Sequence, residues 1–282
     1  MLDNYPKISG KVRDIYDIGD NKLVMVTTDR LSAFDCILPS IIPHRARILT
    51  ELTLFWAKKL SAFNSILSDN LLDMPSEFQK PEFEHRTLLV NKCRIIPYEC
   101  VVRGFLAGSG WQEYKEKGTV AEVKMPYGLQ QNCPLYPPQF TPARKAVFGH
   151  DENISFDTLK KEHPEAGFLK RTSIEIFTEA QAICFSKGLY VADTKFEFGK
   201  DNTGCIVLCD EILTPDNSRF FPIETYKVHP NVPSVDKQLV RNYLVSHNWN
   251  KKDPAPVLPD YMIDEVSKAY QHVLYLLTGK VL

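Results

Sequence analysis

The 282-residue chain has no apolar run approaching the ~20 residues that a membrane-crossing helix requires, and no secretory leader is read at Met1-Leu2-Asp3-Asn4. It has no Cys-x-x-Cys, and its 7 cysteines are scattered and odd in number. That pattern argues against a disulfide framework or a zinc site, and points to thiols kept reduced in a cytoplasmic setting. Neither sign of charge is in surplus: 34 Lys+Arg against 35 Asp+Glu leaves −1. No global basic field draws nucleic acid, and no membrane partner is expected. Internal repeats, heptads and low-complexity tracts are also missing. What remains is the composition of a globular protein, 44% hydrophobic and 24% charged, long enough for one large domain or two ordinary ones.

The richest stretch runs from Leu189 to Arg219. Read with the two-residue period of a strand, Asp193, Lys195 and Glu197 share one face of Leu189-Tyr190-Val191-Ala192-Asp193-Thr194-Lys195-Phe196-Glu197-Phe198. Same-face neighbours sit ~7 Å apart, a spacing that can span a metal–phosphate site. A solvated edge strand is the plain alternative. Lys200-Asp201-Asn202-Thr203-Gly204 reads as a hairpin loop, and residues 205–212 as the returning strand. Asp210 and Glu211 then end an apolar run, where acids are costly unless paired or metal-bound. The turn that follows carries Asp216 and Arg219, an arginine suited to bidentate phosphate or carboxylate binding. Acids for a cation, a lysine and an arginine on one hairpin point to phosphoryl-transfer chemistry.

Upstream, residues 8–18 and 22–29 read as two strands around Gly19-Asp20-Asn21. Gly10 lets backbone approach a ligand, and Lys11 and Arg13 stand on alternate positions. Ser9-Gly10-Lys11 lacks the full Walker pattern, so an ordinary hairpin with solvent lysines stays open. Residues 50–63 read as a helix with Leu52, Phe55, Trp56, Leu60 and Phe63 on its core stripe. Residues 86–106 suggest two strands around Ile95-Ile96-Pro97-Tyr98, with Glu99 and Arg103 as charges in an apolar run. Gly104-Phe105-Leu106-Ala107-Gly108-Ser109-Gly110 can bend around an anion before a helix at Trp111. Five prolines between Pro126 and Pro142 predict an extended loop. His150-Asp151-Glu152-Asn153 is either a metal site or a solvent-facing turn, and Ser155 is expected to cap a short helix ending near Pro164. Further helices are expected over 171–187, with Ile174, Phe177, Ile183 and Cys184 inward and Gly188 as its stop, and over 234–246 and 260–278.

These stretches together resemble the SAICAR synthetases (phosphoribosylaminoimidazole-succinocarboxamide synthases). The resemblance rests on Ser9-Gly10-Lys11-Val12-Arg13-Asp14, Thr28-Asp29-Arg30-Leu31-Ser32-Ala33-Phe34-Asp35, Glu99-Cys100-Val101-Val102-Arg103-Gly104 and Ala107-Gly108-Ser109-Gly110-Trp111. It continues through His150-Asp151-Glu152-Asn153-Ile154-Ser155, Asp193-Thr194-Lys195-Phe196-Glu197-Phe198-Gly199 and the run from Asp210 to Arg219. It implies an α+β, two-lobed fold: a small antiparallel, kinase-like amino-terminal lobe over 1–110 and a larger ATP-grasp-like lobe over 111–282, with ATP between them. It also implies ATP-dependent joining of carboxyaminoimidazole ribonucleotide (CAIR) to L-aspartate, with Mg²⁺. Gly10, Lys11 and Arg13 would cover the ATP phosphates, and backbone at Ile95-Ile96 would meet adenine with Glu99 nearby. Glu197 and Asp210 would carry Mg²⁺, and Lys195 would steady the transferring phosphate. Arg103, Ser109 and Arg219 would bind the nucleotide phosphate and Asp193 would orient the nucleotide, with Asp35 and Asp216 also on the substrate side. The chain departs from the family pattern at His44-Arg45-Ala46-Arg47, where a Gly-Lys-Gly-Arg is usual, and at Thr141-Pro142-Ala143-Arg144-Lys145-Ala146. A kinase is the rival enzyme reading, but neither His-Arg-Asp nor Asp-Phe-Gly occurs. A non-catalytic nucleotide-binding regulator would need only the binding residues.

Overall fold

A computed structural model describes residues 2–68, 73–146, 151–226 and 234–282. His150, of the cluster read as either a metal site or a solvent-facing turn, lies outside them. The chain forms two compact units, one of residues 1–95, 199–216 and 236–282, the other of 96–198 and 217–235. This differs from a single break near residue 110, because the chain returns to the first unit through the 199–216 hairpin and again through its carboxyl-terminal helices.

In the first unit, β1 (Lys7–Ser9), β2 (Arg13–Gly19), β3 (Lys22–Thr27) and β6 (Thr87–Asn91) make an antiparallel sheet in the order β1-β2-β3-β6. Both faces of β3 are covered, as its alternation requires. Val24 and Val26 pack with Tyr16, Phe78 and Leu89, and Met25 with Ile66, Val90, Val207 and Cys209. A second hairpin joins β4 (Arg30–Ala33) to β5 (Cys36–Ile41). Helix α1 (Arg45–Lys59) begins five residues before the expected start, with Ile48, Leu49, Leu52 and Trp56 buried. The helices α5 (Gln238–Ser246) and α6 (Asp260–Thr278) belong here too. Val266, Tyr270, Val273, Leu274 and Leu277 are buried along α6, as its spacing predicts, whereas Ile263 of the same expected stripe is half-buried. Each such burial contributes about 1.5–3 kcal/mol.

The second unit is built on β7 (Arg94–Phe105) and β13 (Leu189–Lys200), which lie side by side and whose ends cross into the first unit. Residues 95–98 are strand, not turn, and the break before β7 falls at Lys92-Cys93. Gly108–Lys117 is α2, followed by the small hairpin of β8 (Thr119–Val120) and β9 (Val123–Lys124). The proline-rich segment holds strand β10 (Pro134–Phe140), which pairs with β7 through an irregular register between Pro134 and Gln139. Proline is tolerated there because the ladder is already interrupted. β11 (Ala143–Arg144) also pairs with β7, and β12 (Glu152–Asn153) lies beyond it.

Ser155 caps α3 (Phe156–Glu162), its hydroxyl accepting from the Thr158 amide at 3.2 Å. Helix α4 (Ala166–Ser186) buries Phe177 and Cys184 as expected, but Ile176 and Ala180 rather than Ile174 and Ile183 complete its inner face. Gly188 ends it with φ 81°. The hairpin strand β14 (Ile206–Cys209) returns from β13, and β15 (Ser218–Pro222) pairs with β13 around an irregularity at Ala192. β13 is therefore an interior strand, which removes the solvated-edge alternative.

Candidate active site

In the second unit, strand and helix geometry gather the charged residues into two groups. Arg103, on β7, is 5% exposed. Its Nη1 donates to Asp193 Oδ2 at 3.1 Å, its Nη2 to Ser109 Oγ at 2.8 Å and its Nε to Thr141 Oγ1 at 3.0 Å. Arg219 donates from Nη1 to the same Asp193 oxygen at 2.5 Å. The cross-strand pairing of Asp193 with Arg219 sets this contact. Glycine is needed at 108, which has φ 53° and where a Cβ would run into the Arg219 guanidinium. Gly110 is likewise close, its Cβ position 3.0 Å from Arg103 Cδ. Burial presses the Arg103 guanidinium downward from its ordinary pKa, Asp193 opposing and Arg219 adding to the effect. Arginine nevertheless stays charged, so two guanidinium groups converge on the Asp193 carboxylate with Glu113 as a further negative charge nearby, and their fixed donors suit an anion.

Two and four residues along β13 stand Lys195 and Glu197. Lys195 Nζ donates to Glu99 Oε1 at 2.5 Å and lies 3.3 Å from Glu197 Oε1, while Lys145 forms a close ion pair with Glu197. Burial alone would lower the lysine's pKa, yet the Glu197 and Glu99 carboxylates raise it. Burial would raise Glu197, but Lys195 and Lys145 hold it below the ordinary carboxylate range. Glu99 goes the other way, raised by burial that Lys195 only partly offsets. Ile96 is buried. Asp151 accepts from the Ala146 amide at 2.9 Å, and Glu152 pairs with Arg144. Among the described residues, which leave out His150, no group of three or more His, Cys, Asp or Glu could hold a metal.

In the first unit, the Gly10–Arg13 turn is closed by the Gly10 amide donating to Arg13 O at 2.7 Å. Arg30 braces it from Nε to Lys11 O and from Nη2 to Gly10 O, each at 3.2 Å. Lys11 reaches Asp35 in a close ion pair. Asp35 and Phe34 form the two-residue tip of the β4–β5 hairpin, with φ 66° and 51°, a backbone more often taken by Asn-Gly. Ile95 is 47% exposed. Arg13 bridges Asp210, in a close pair, and Glu211 at 2.9 Å, and these three line a small crevice with Thr27 and Thr53.

Asp210 falls one residue past β14 with φ 63°, so ladder register does not direct its side chain. Asp216 is buried in an ion-paired network of the first unit. Its side chain is 3% exposed, accepting from Arg45 Nη2 at 2.6 Å, Lys237 Nζ at 3.0 Å and Tyr270 hydroxyl at 2.7 Å. In this packing it joins α1 to α6 instead of presenting an open carboxylate to substrate.

Sequence reasoning assigned no role to Thr141, Lys145 or Arg30. The first two lie in the Thr141-Pro142-Ala143-Arg144-Lys145-Ala146 stretch and the third in the Thr28–Asp35 stretch, so the motif was visible although its contacts were not.

The SAICAR synthetase family model matches residues 7–256. A phosphoribosylaminoimidazole-succinocarboxamide synthase of Leptospira interrogans is 44% identical over 272 residues, 95% of each chain. The solved SAICAR synthase from Saccharomyces cerevisiae complexed with SAICAR has a TM-score of 0.87 at 36% identity, covering 99% of this chain and 96% of that one. A SAICAR synthetase in complex with ADP shares the fold at TM-score 0.73 and 22% identity, covering 98% of this chain and 99% of that one. With a match that runs through both units and past every site residue just described, the chain belongs to the SAICAR synthetase family.

Proposed function

We propose that the chain joins the carboxylate of CAIR to the amine of L-aspartate, converting ATP to ADP and phosphate, as a step of purine biosynthesis in the cytoplasm. The observation that carries this reading is the buried Arg103–Asp193–Arg219 group with Ser109, whose converging guanidinium and hydroxyl donors suit the phosphate of a ribonucleotide. Two residues along the same strand, Lys195 offers a charged donor to a phosphoryl group in transfer. Asp193, held by both arginines, orients the nucleotide.

A carboxylate is a poor electrophile. Its oxygen attacks the γ-phosphorus of ATP, ADP leaves, and the resulting acyl phosphate is open to the aspartate amine. The amine forms the C–N bond as phosphate departs. The chain's task is to fix these groups in line and keep water from the acyl phosphate. Gly10, Lys11 and Arg13 would cover the ATP phosphates, with Ile95, Ile96 and Glu99 toward adenine. Lys11 and Arg13 now rest on Asp35, Asp210 and Glu211, so these acids hold both cations until phosphate replaces them.

Glu197, in the second unit, and Asp210, in the first, are each suited to Mg²⁺ by donor chemistry. Both offer hard carboxylate oxygens, and Glu197 is held as an anion by lysines that a cation can displace. Mg²⁺ there would neutralise charge on the ATP phosphates. Asp35 remains on the substrate side, exposed at its hairpin tip.

Purified chain should release ADP only when CAIR, L-aspartate, ATP and Mg²⁺ are all present. Rapid ATP hydrolysis with neither acceptor would count against a ligase, and equal activity on a protein or sugar hydroxyl would favour a kinase.

A further inference from the structure

Cys93 and Cys209 are 116 residues apart in sequence, yet their sulfurs lie 3.2 Å apart within the first unit. Cys93 lies in the two-residue link between β6 and β7 and is half-buried. Cys209 is the last residue of β14 and 1% exposed. Gly199 makes the approach possible, since a Cβ there would stand 3.0 Å from Cys209 Sγ and closer still to Cys93 Sγ. The two thiols border the nucleotide-side residues. Asp210 follows Cys209 directly, in the left-handed backbone and paired to Arg13, and Ile95 lies two residues past Cys93.

We propose that Cys93 and Cys209 are a modification site: a hydroperoxide converts them into a reversible intramolecular disulfide that shifts Asp210 and slows turnover. Sulfur of Cys93 attacks the peroxide, forming an S–O bond and breaking O–O, and water or an alcohol leaves. Sulfur of Cys209 then attacks the sulfenic sulfur, forming S–S and releasing water. Two electrons and two protons pass from the thiols to the peroxide, and an external dithiol returns them. The sulfurs must close from 3.2 Å to about 2.05 Å. A residue strained at φ 63° and bonded to the moving cysteine takes up part of that closure. The effect on turnover rests on the ligase reading of Asp210, whereas the cross-link itself does not.

The test treats the full-length reduced chain with hydrogen peroxide, digests it without reductant and maps cross-linked peptides, while ADP release is followed in parallel. A Cys93–Cys209 peptide should accumulate as turnover falls on the order of tenfold. Dithiothreitol should restore activity, and Cys93→Ser should keep its activity at the same peroxide dose. Failure of the folded chain to form this peptide would overturn the proposal. Full turnover in the cross-linked chain, or equal sensitivity of Cys93→Ser, would do the same. Because the peptide is read without substrates, a chain that cross-links but never makes ADP would contradict the ligase reading instead.

Discussion

Asp216 and Asp193 are both buried carboxylates held by two cations, but the cations differ in kind. Asp216 is held by Arg45 and Lys237 and also accepts from Tyr270. Burial lowers the pKa of Lys237, with Asp216 opposing and Arg45 adding. A lysine can shed its proton and relieve surplus charge. Asp193 is held by two arginines, neither of which can. One group serves as a joint between helices. The other gathers two fixed cations beside Ser109, and the proposed phosphate site rests on that arrangement.

The sharpest way to break this comparison is to neutralise each acid in turn. Asp216→Asn should destabilise the chain by about 3–5 kcal/mol, because it leaves buried cations uncompensated. Asp193→Asn should also lower the melting temperature, yet inorganic phosphate should recover it there and leave Asp216→Asn unmoved. Equal recovery in both, read by thermal melting, would dissolve the distinction.

Glu197 extends the comparison to a carboxylate whose cations are both lysines. Glu197→Gln and Asp210→Asn should each cut turnover on the order of a hundredfold and weaken the Mg²⁺ dependence of ATP affinity. Near-normal turnover at low Mg²⁺ in either would remove the metal assignment. Arg219→Ala should cost nucleotide affinity about 1.5–3 kcal/mol, with ATP affinity much less changed. Calorimetry finding the nucleotide bound as tightly as before would withdraw the arginine from the phosphate site.

The smallest effect is one of pH. Burial would raise the Asp216 pKa, but Arg45 and Lys237 hold it well below the usual range. A carboxyl depressed in the folded state stabilises fully above its unfolded pKa of about 3.9 and loses that contribution only as pH falls through the folded value. The stability gap between Asp216→Asn and the parent chain should thus stay flat from neutrality to mild acid. A gap that closes well above the unfolded value would show that the cations do not hold the carboxylate.

Short-range signals were legible where one element decided them. The α6 stripe, the Ser155 cap and the Asp193/Lys195/Glu197 alternation all follow from local period and capping chemistry. Proline misled twice, at β10 and at Pro97 within β7. In both places pairing is irregular or draws on the proline carbonyl, as when Lys145 N donates to Pro97 O at 3.0 Å. The Asp216 hub was illegible because Arg45 lies 171 residues away, and no local rule distinguishes a buried structural acid from a substrate-facing one. Arg103 and Asp193 stood out as charges in apolar runs, but their shared carboxylate needed the strands side by side.

The central claim, that ATP activates the nucleotide's carboxylate for attack by an amine, is open to a direct isotopic measurement. CAIR labelled with oxygen-18 in its carboxylate should pass one labelled oxygen to the phosphate released in each turnover with L-aspartate and ATP. Phosphate free of label, formed at the same rate as the product, would contradict it.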